Sequence, residues 1–221
     1  MPSISLTNPA NITSLVFNAI STERLGGSLK SLSQFTSLEN FRVIDHDLTG
    51  IIPSLDNNTQ LVDLRLHSNN LTGSFPSLTN NVNIEHIAAQ DNNFTGLSSG
   101  FSTNTNLKYI DFSRNQLTEI PEFSENTVIE TILLGGNQIN DWAGGFVSSS
   151  IYKFAANNNL LPQAVVDGLL SAFVSAGRVW SGSPEIKPAL LIGGGANAAP
   201  SAAGLTNKQT LITRGWTVST N

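Results

Sequence analysis

LVDLRLHSNN, residues 61–70, carries the grammar that decides the fold. Counted from Leu61, apolar residues stand at offsets 0, 3, 5 and 10 (Leu61, Leu64, Leu66, Leu71), with Asn69 at offset 8. The pattern returns 23 residues later as Ile84, Ile87, Ala89, Asn92 and Phe94, and 23 later again as Leu107, Ile110, Phe112, Asn115 and Leu117. Two intervals of 22 follow, giving Ile129, Ile132, Leu134, Asn137 and Ile139, then Ile151, Phe154, Ala156, Asn159 and Leu161. Side chains on a strand alternate faces, so offsets 3 and 5 point to one side and offsets 2, 4 and 6 to the other. One such strand cannot bury its apolar face alone, whereas stacked copies bury a continuous ladder.

Weaker copies extend the frame in both directions. Leu38, Phe41, Val43 and Leu48 form one, with His46 in the Asn slot, and Ile12, Leu15 and Phe17 form the first. After Ile151 the interval stretches to 38, where Ala189, Ile192, Gly194, Asn197 and Ala199 keep the pattern. Thr213, Trp216, Val218 and Asn221 close it. A carboxamide both donates and accepts, so stacked Asn side chains can satisfy backbone groups where each strand ends.

This spacing is the leucine-rich repeat pattern. LTGIIPSL (residues 48–55) and LTGSFPSL (residues 71–78) resemble the LxGxIP element of plant-type leucine-rich repeats. The expected fold class is α/β: a right-handed leucine-rich repeat solenoid, its parallel sheet built from about eight or nine short strands. Few helices are expected, with a helical cap at the C-terminal end. Return segments such as SLDNNTQ and SLTNNVN are short and suit turns. Pro53 and Pro76 should end any strand there, and Gly50 and Gly73 permit the bend.

Pro162 opens QAVVDGLLSAFVSAG, whose apolar pairs recur every four residues as in an amphipathic helix, with Gly177 as its C′ residue. A second helix fits residues 207–214, with Thr206 as N-cap, Gly215 as C′ and Leu205 as a hydrophobic staple. Residues 1–221 thus read as one leucine-rich repeat domain, with regular repeats over 12–161 and a helical repeat and cap over 162–221.

Composition narrows the function. Charged residues make up 12% of the chain, about half the usual share, so Ser, Thr and Asn must cover the surface. A net charge of −5 disfavours a nucleic-acid partner. The absence of Cys removes disulfides, thiolate metal sites and a Cys nucleophile. No apolar run is long enough to insert in a membrane. The start, MPSISLTNPANITSL, shows no basic stretch followed by an apolar one, so no leader is expected there.

The outward strand positions define a concave face. Its densest chemistry lies on the second to fifth repeats: Arg42, Asp63, Arg65, His67, His86, Tyr109 and Asp111. These are the expected ligand-binding residues. Arg42 and Arg65 share a column on adjacent strands, where like charges repel. A bound anion would relieve them, and so would Asp63 or Asp111. No metal and no cofactor are expected. There is no HExxH or EF-hand spacing, and Gly193, Gly194 and Gly195 lack the Lys-Ser/Thr of a phosphate loop. No Ser stands in a GxSxG context, and Asp45, Asp47 and Asp56 show no paired geometry for glycoside hydrolysis. Four Asn-x-Thr sequons, at Asn11, Asn57, Asn70 and Asn93, follow from the Asn/Thr-rich repeats.

NAAPSAAGLTNKQTLITRGWTVSTN, residues 197–221, is similar to the tail of leucine-rich-repeat-like proteins encoded by bacteriophages, particularly those of Bacteroidetes hosts. That resemblance implies a virion location. The expected role is non-catalytic: a virion appendage or decoration protein recognising a host surface glycan or protein. The alternatives are a structural spacer contacting other virion proteins, or an extracellular or bacterial cell-surface adhesin.

Overall fold

The computed structural model describes residues 8–19, 24–98, 100–142, 144, 148, 150–179 and 187–221. Residues 1–7, where a leader would begin, lie outside them. After a 3₁₀ turn at Pro9–Asn11 come β1 (Ser14–Asn18), β2 (Gly26–Ser28), β3 (Asn40–Ile44) and β4 (Asp47–Gly50). Next are β5 (Asp63–Arg65), β6 (Asn70–Phe75), β7 (His86–Ala88), β8 (Asn93–Leu97) and β9 (Tyr109–Asp111). The remainder is β10 (Glu119–Ile120), β11 (Thr131–Leu133), β12 (Asp141–Trp142), β13 (Lys153–Ala155), α1 (Gln163–Ser175), β14 (Ala189–Leu191), α2 (Ala202–Thr213) and β15 (Thr217–Ser219).

Nine strands form one parallel sheet in the order β1-β3-β5-β7-β9-β11-β13-β14-β15. Each repeat therefore adds one strand beside its predecessor, as a solenoid requires. The paired residues Phe41, Leu64, Ile87, Ile110, Ile132, Phe154 and Leu190 run through the sheet in register and are at most 2% exposed. Behind them lies a second apolar layer from the return segments. There Phe112 meets Phe75 edge-on at 4.8 Å between ring centres and Phe101 at 6.5 Å, and Phe101 stacks on Phe123 at 5.8 Å.

Carboxamides tie the turns together. Asn92 Oδ1 accepts from Leu71 N at 3.0 Å, and its Nδ2 donates to Leu66 O at 2.9 Å and Ala89 O at 3.2 Å. Asn69, Asn115, Asn137 and Asn159 repeat the arrangement turn by turn. Replacing Asn92 by Ala should cost about 3 kcal/mol in a urea titration, because a buried N–H loses its acceptor and two carbonyls lose a donor. A cost below about 0.5 kcal/mol would show that these groups reach water.

His46 fills the same slot imperfectly. Its Nδ1 accepts from Leu25 N at 3.1 Å, while the buried Nε2 has no partner among the described residues. The residue preceding each slot lies in the left-handed region: Asp45, Ser68, Asp91, Arg114, Gly136 and Asn158 have φ between 55° and 71°.

Three features depart from the sequence reading. A second ladder, Asn58, Asn81, Asn104 and Asn126, is fully buried and bonds to carbonyls of the preceding turn; Asn81 Nδ2 donates to Leu55 O at 3.1 Å and Asn58 O at 2.7 Å. Next, the Leu-Thr-Gly phrases are strands themselves. A four-stranded parallel sheet, β2-β4-β6-β8, and the pair β10-β12 line the adjoining face. Gly50 and Gly73 keep their positive φ inside these strands, and β6 runs up to Pro76.

The third departure is a register shift of two residues in the last two repeats. Ala189 pairs with Lys153, so Leu190 and Ile192 point inward and Leu191 faces the concave side. Gly194 and Gly195, with φ of 80° and 60°, insert two residues before Asn197, which still bonds to Ala156 O and Ile192 O as a ladder Asn. Likewise Thr217 pairs with Ala189 and Val218 with Leu190, so Val218 stands at the first inward strand position, where the frame counted from Thr213 had placed Trp216. Asn221 bonds to Gly194 N and Asn197 O rather than to the ladder carbonyls.

The C-terminal helices complete the core. α1 buries Val166, Leu169, Leu170 and Phe173, and Gly177 follows it with φ 72°. Phe173 lies between Phe154 (5.5 Å) and Trp216 (5.3 Å), so Trp216 packs on the helix. α2 begins five residues earlier than the sequence suggested, at Ala202 rather than 207. Its N-cap is Ser201, whose Oγ accepts from Gly204 N at 3.2 Å, and Thr206 instead bonds back to Ala202 O. Leu205 is 52% exposed and staples nothing. The early start depends on Gly204: a Cβ there would stand 1.9 Å from Asp167 Oδ1, the carboxylate oxygen that accepts from Ser201 N. Among the described residues no helix is long and apolar enough to cross a membrane.

Candidate functional site

The concave face follows from the register. Columns at offset 2 (Asn40, Asp63, His86, Tyr109, Thr131) and offset 4 (Arg42, Arg65, Ala88, Asp111, Leu133) run side by side across β3, β5, β7, β9 and β11. All seven candidate residues stand on or directly after these strands, and they form two linked groups.

In the first group the buried Asp63 carboxylate is held between two guanidinium groups. Arg42 Nε bonds to its Oδ2, and Arg65 Nε donates to Oδ1 at 2.9 Å and Oδ2 at 3.1 Å. This carboxylate relieves the Arg42–Arg65 repulsion from within the chain, so the pair needs no anion. Asp111 takes no part in that relief. It accepts from Ser113 N at 2.8 Å and from the Tyr109 hydroxyl at 3.4 Å.

The second group surrounds a depression of about 250 Å³ bordered by Arg65, His67, His86, Ala88, Gln90 and Tyr109. The His86 and Tyr109 rings stack at 6.2 Å with 29° between their planes. His67 contacts only Ser68 Oγ, at 3.4 Å, among the partners described for it. Its pKa is lowered from 6.5 by burial first and by Arg65 second, so the ring is neutral at pH 7. Burial, then the Asp111 charge, pushes the Tyr109 phenol up to about 12, so it stays protonated. His67 and His86 come together through opposite rims of one hollow, since offsets 6 and 2 lie on either side of Ala88.

Two members were missed by the sequence reading. Ala88 is the smallest residue of its column between Arg65 and Asp111, and its missing bulk makes the hollow. Gln90 borders the hollow, and its Oε1 is buried without a hydrogen-bond partner. Their signal was positional only: both sit at outward offsets, but neither carries a charge or an aromatic ring. A further pair, Arg114 Nη2 and Asp91 Oδ2 at 2.6 Å, lies beside the cluster, and Arg114 holds the Asp91 carboxyl below its usual range. Among the described residues no three His, Asp or Glu side chains stand close enough to hold a metal ion.

No family model matches the sequence, and no curated protein matches it. Solved structures do. PEPR1 with AtPEP1 superposes with a TM-score of 0.64 at 21% identity, over 83% of this chain and 25% of that one. The Arabidopsis receptor kinase HAESA, in complex with the peptide hormone IDA and the co-receptor SERK1, gives 0.56 at 29% identity over 65% and 26%. A leucine-rich repeat protein of Leptospira interrogans gives 0.60 at 18% identity over 86% and 44%. The chain spans from a quarter to less than half the length of these proteins. The architecture is a leucine-rich repeat solenoid.

Proposed function

We propose that this chain is a non-catalytic recognition module that binds a host surface glycan or protein through its concave face, and that a bacteriophage virion carries it as an appendage or decoration protein. The observation that carries the binding role is the clustering of Arg42, Asp63, Arg65, His67, His86, Tyr109 and Asp111 on four adjacent strands. Arg and Tyr are the residue types that most often dominate binding energy. The virion setting rests on the resemblance of residues 197–221 to phage-encoded tails. An extracellular or bacterial-surface setting is the second reading, favoured by the fold shared with the hormone-bound HAESA structure. A spacer role, with the solenoid acting as a rigid spacer against other virion proteins, is the third.

The test replaces Arg65, His86 and Tyr109 together by Ala. Labelled protein is then applied to a panel of Bacteroidetes strains. Arg65 shares the buried Asp63 with Arg42, so the melting temperature should fall modestly, and adsorption is read on protein whose cooperative melt shows it folded. Adsorption should fall at least about 100-fold, the loss of two binding anchors of about 1.4 kcal/mol each. Undiminished adsorption of a folded variant would remove the concave face and put the spacer role ahead.

A further inference from the structure

We infer that the hollow over Ala88 takes a single neutral hexopyranose ring. This rests on the concave-face reading and names its ligand. Size is the first argument. At about 250 Å³ the hollow lies below the range of about 300–1,000 Å³ usual for drug-sized ligands, which suits one ring and excludes an oligosaccharide lying fully inside.

Charge is the second argument. Around the hollow Arg42, Arg65 and Arg114 are matched by Asp63, Asp91 and Asp111, and His67 is neutral at pH 7. With these three positive charges matched by three negative ones, an anionic sugar gains no net attraction here. A neutral ring needs none.

Hydrogen-bond complementarity is the third. Arg65 spends its Nε on Asp63, which leaves its Nη groups as donors on one rim. Gln90, bordering the hollow on the other side, holds a buried Oε1 with no donor, an acceptor that a ligand hydroxyl would satisfy. A sugar hydroxyl both donates and accepts, so adjacent hydroxyls of one ring satisfy both sides. The stacked His86–Tyr109 rings supply an apolar wall for the C–H face of the sugar.

The test is saturation-transfer NMR with methyl glucoside, methyl galactoside and methyl mannoside, and with glucuronic acid as the charged comparator. At least one neutral hexoside should bind the wild type with a dissociation constant of about 1–10 mM. Ala88→Leu fills the hollow from its floor and should weaken that binding at least about tenfold. Gln90→Leu removes the acceptor and serves where Ala88→Leu alters the melting curve; it should weaken binding about fivefold. Glucuronic acid should bind at least about tenfold more weakly than the best neutral hexoside. Absence of any neutral-hexoside signal overturns the assignment, as does equal binding by both variants or tighter binding of glucuronic acid. If the triple Ala variant loses cell adsorption while no hexoside binds, the concave-face reading stands and the sugar assignment falls.

Discussion

Phe112→Ala should lower the unfolding free energy by about 3–5 kcal/mol, the cost of emptying an aromatic site inside a packed core. Phe112 is fully buried, and its ring sits among Phe75, Phe94 and Phe101, which come from three different segments of the solenoid. Phe75 and Phe94 are fixed on β6 and β8 of the four-stranded sheet, which limits their collapse into the space. The measurement is the urea midpoint, with Val128→Ala as the control. Val128 is 41% exposed, and its truncation should stay within about 0.5 kcal/mol. A cost for Phe112→Ala below about 1 kcal/mol would mean that the second apolar layer is not packed as described.

Deleting everything after Leu205 should abolish the soluble monomer. The deletion removes most of α2, Trp216 and β15. Phe173 then loses the ring packed 5.3 Å away, and the β14 edge loses its partner strand. A bare apolar face beside unpaired backbone groups invites association with another chain. Size-exclusion chromatography with light scattering reads the outcome. A truncation that elutes as a monomer and melts cooperatively would show that α2 and the last strand are dispensable.

The sequence revealed the main sheet because its inward residues are large and recur at a nearly constant interval. Leu64, Ile87, Ile110 and Ile132 could be aligned by counting. That counting failed after Ile151, where the frame was anchored on Asn197. Two glycines with left-handed backbone separate that Asn from its strand, and nothing in the letters marks them as an insertion. The second Asn ladder had a readable signal, since Asn58, Asn81, Asn104 and Asn126 each stand three residues before a core Leu or Ile. It was masked by the neighbouring Asn and Thr residues, which look like ordinary turn composition. The strands at the Leu-Thr-Gly phrases were hidden because Gly50 and Gly73 stand where alternation would place an apolar side chain, and such glycines read as bends. In the candidate site, column positions were legible and partnerships were not. Whether Asp63 answers Arg42, Arg65 or both depends on side-chain rotamers, and a hollow made by a small residue leaves no positive mark in a sequence.

The carboxamide joints between turns all carry the same bonds, aimed the same way, from Asn69 through Asn159. Turns of 22, 23 and 38 residues all keep these joints, so residues added in a return segment lengthen one turn without moving the solenoid's ends. Copying a whole turn in phase, for instance residues 84–106, would add one new joint identical to its neighbours and leave the others untouched. The molecule can therefore change its length only in steps of a turn. Tandem duplication in the gene would alter its reach and curvature while preserving the chemistry displayed on each step.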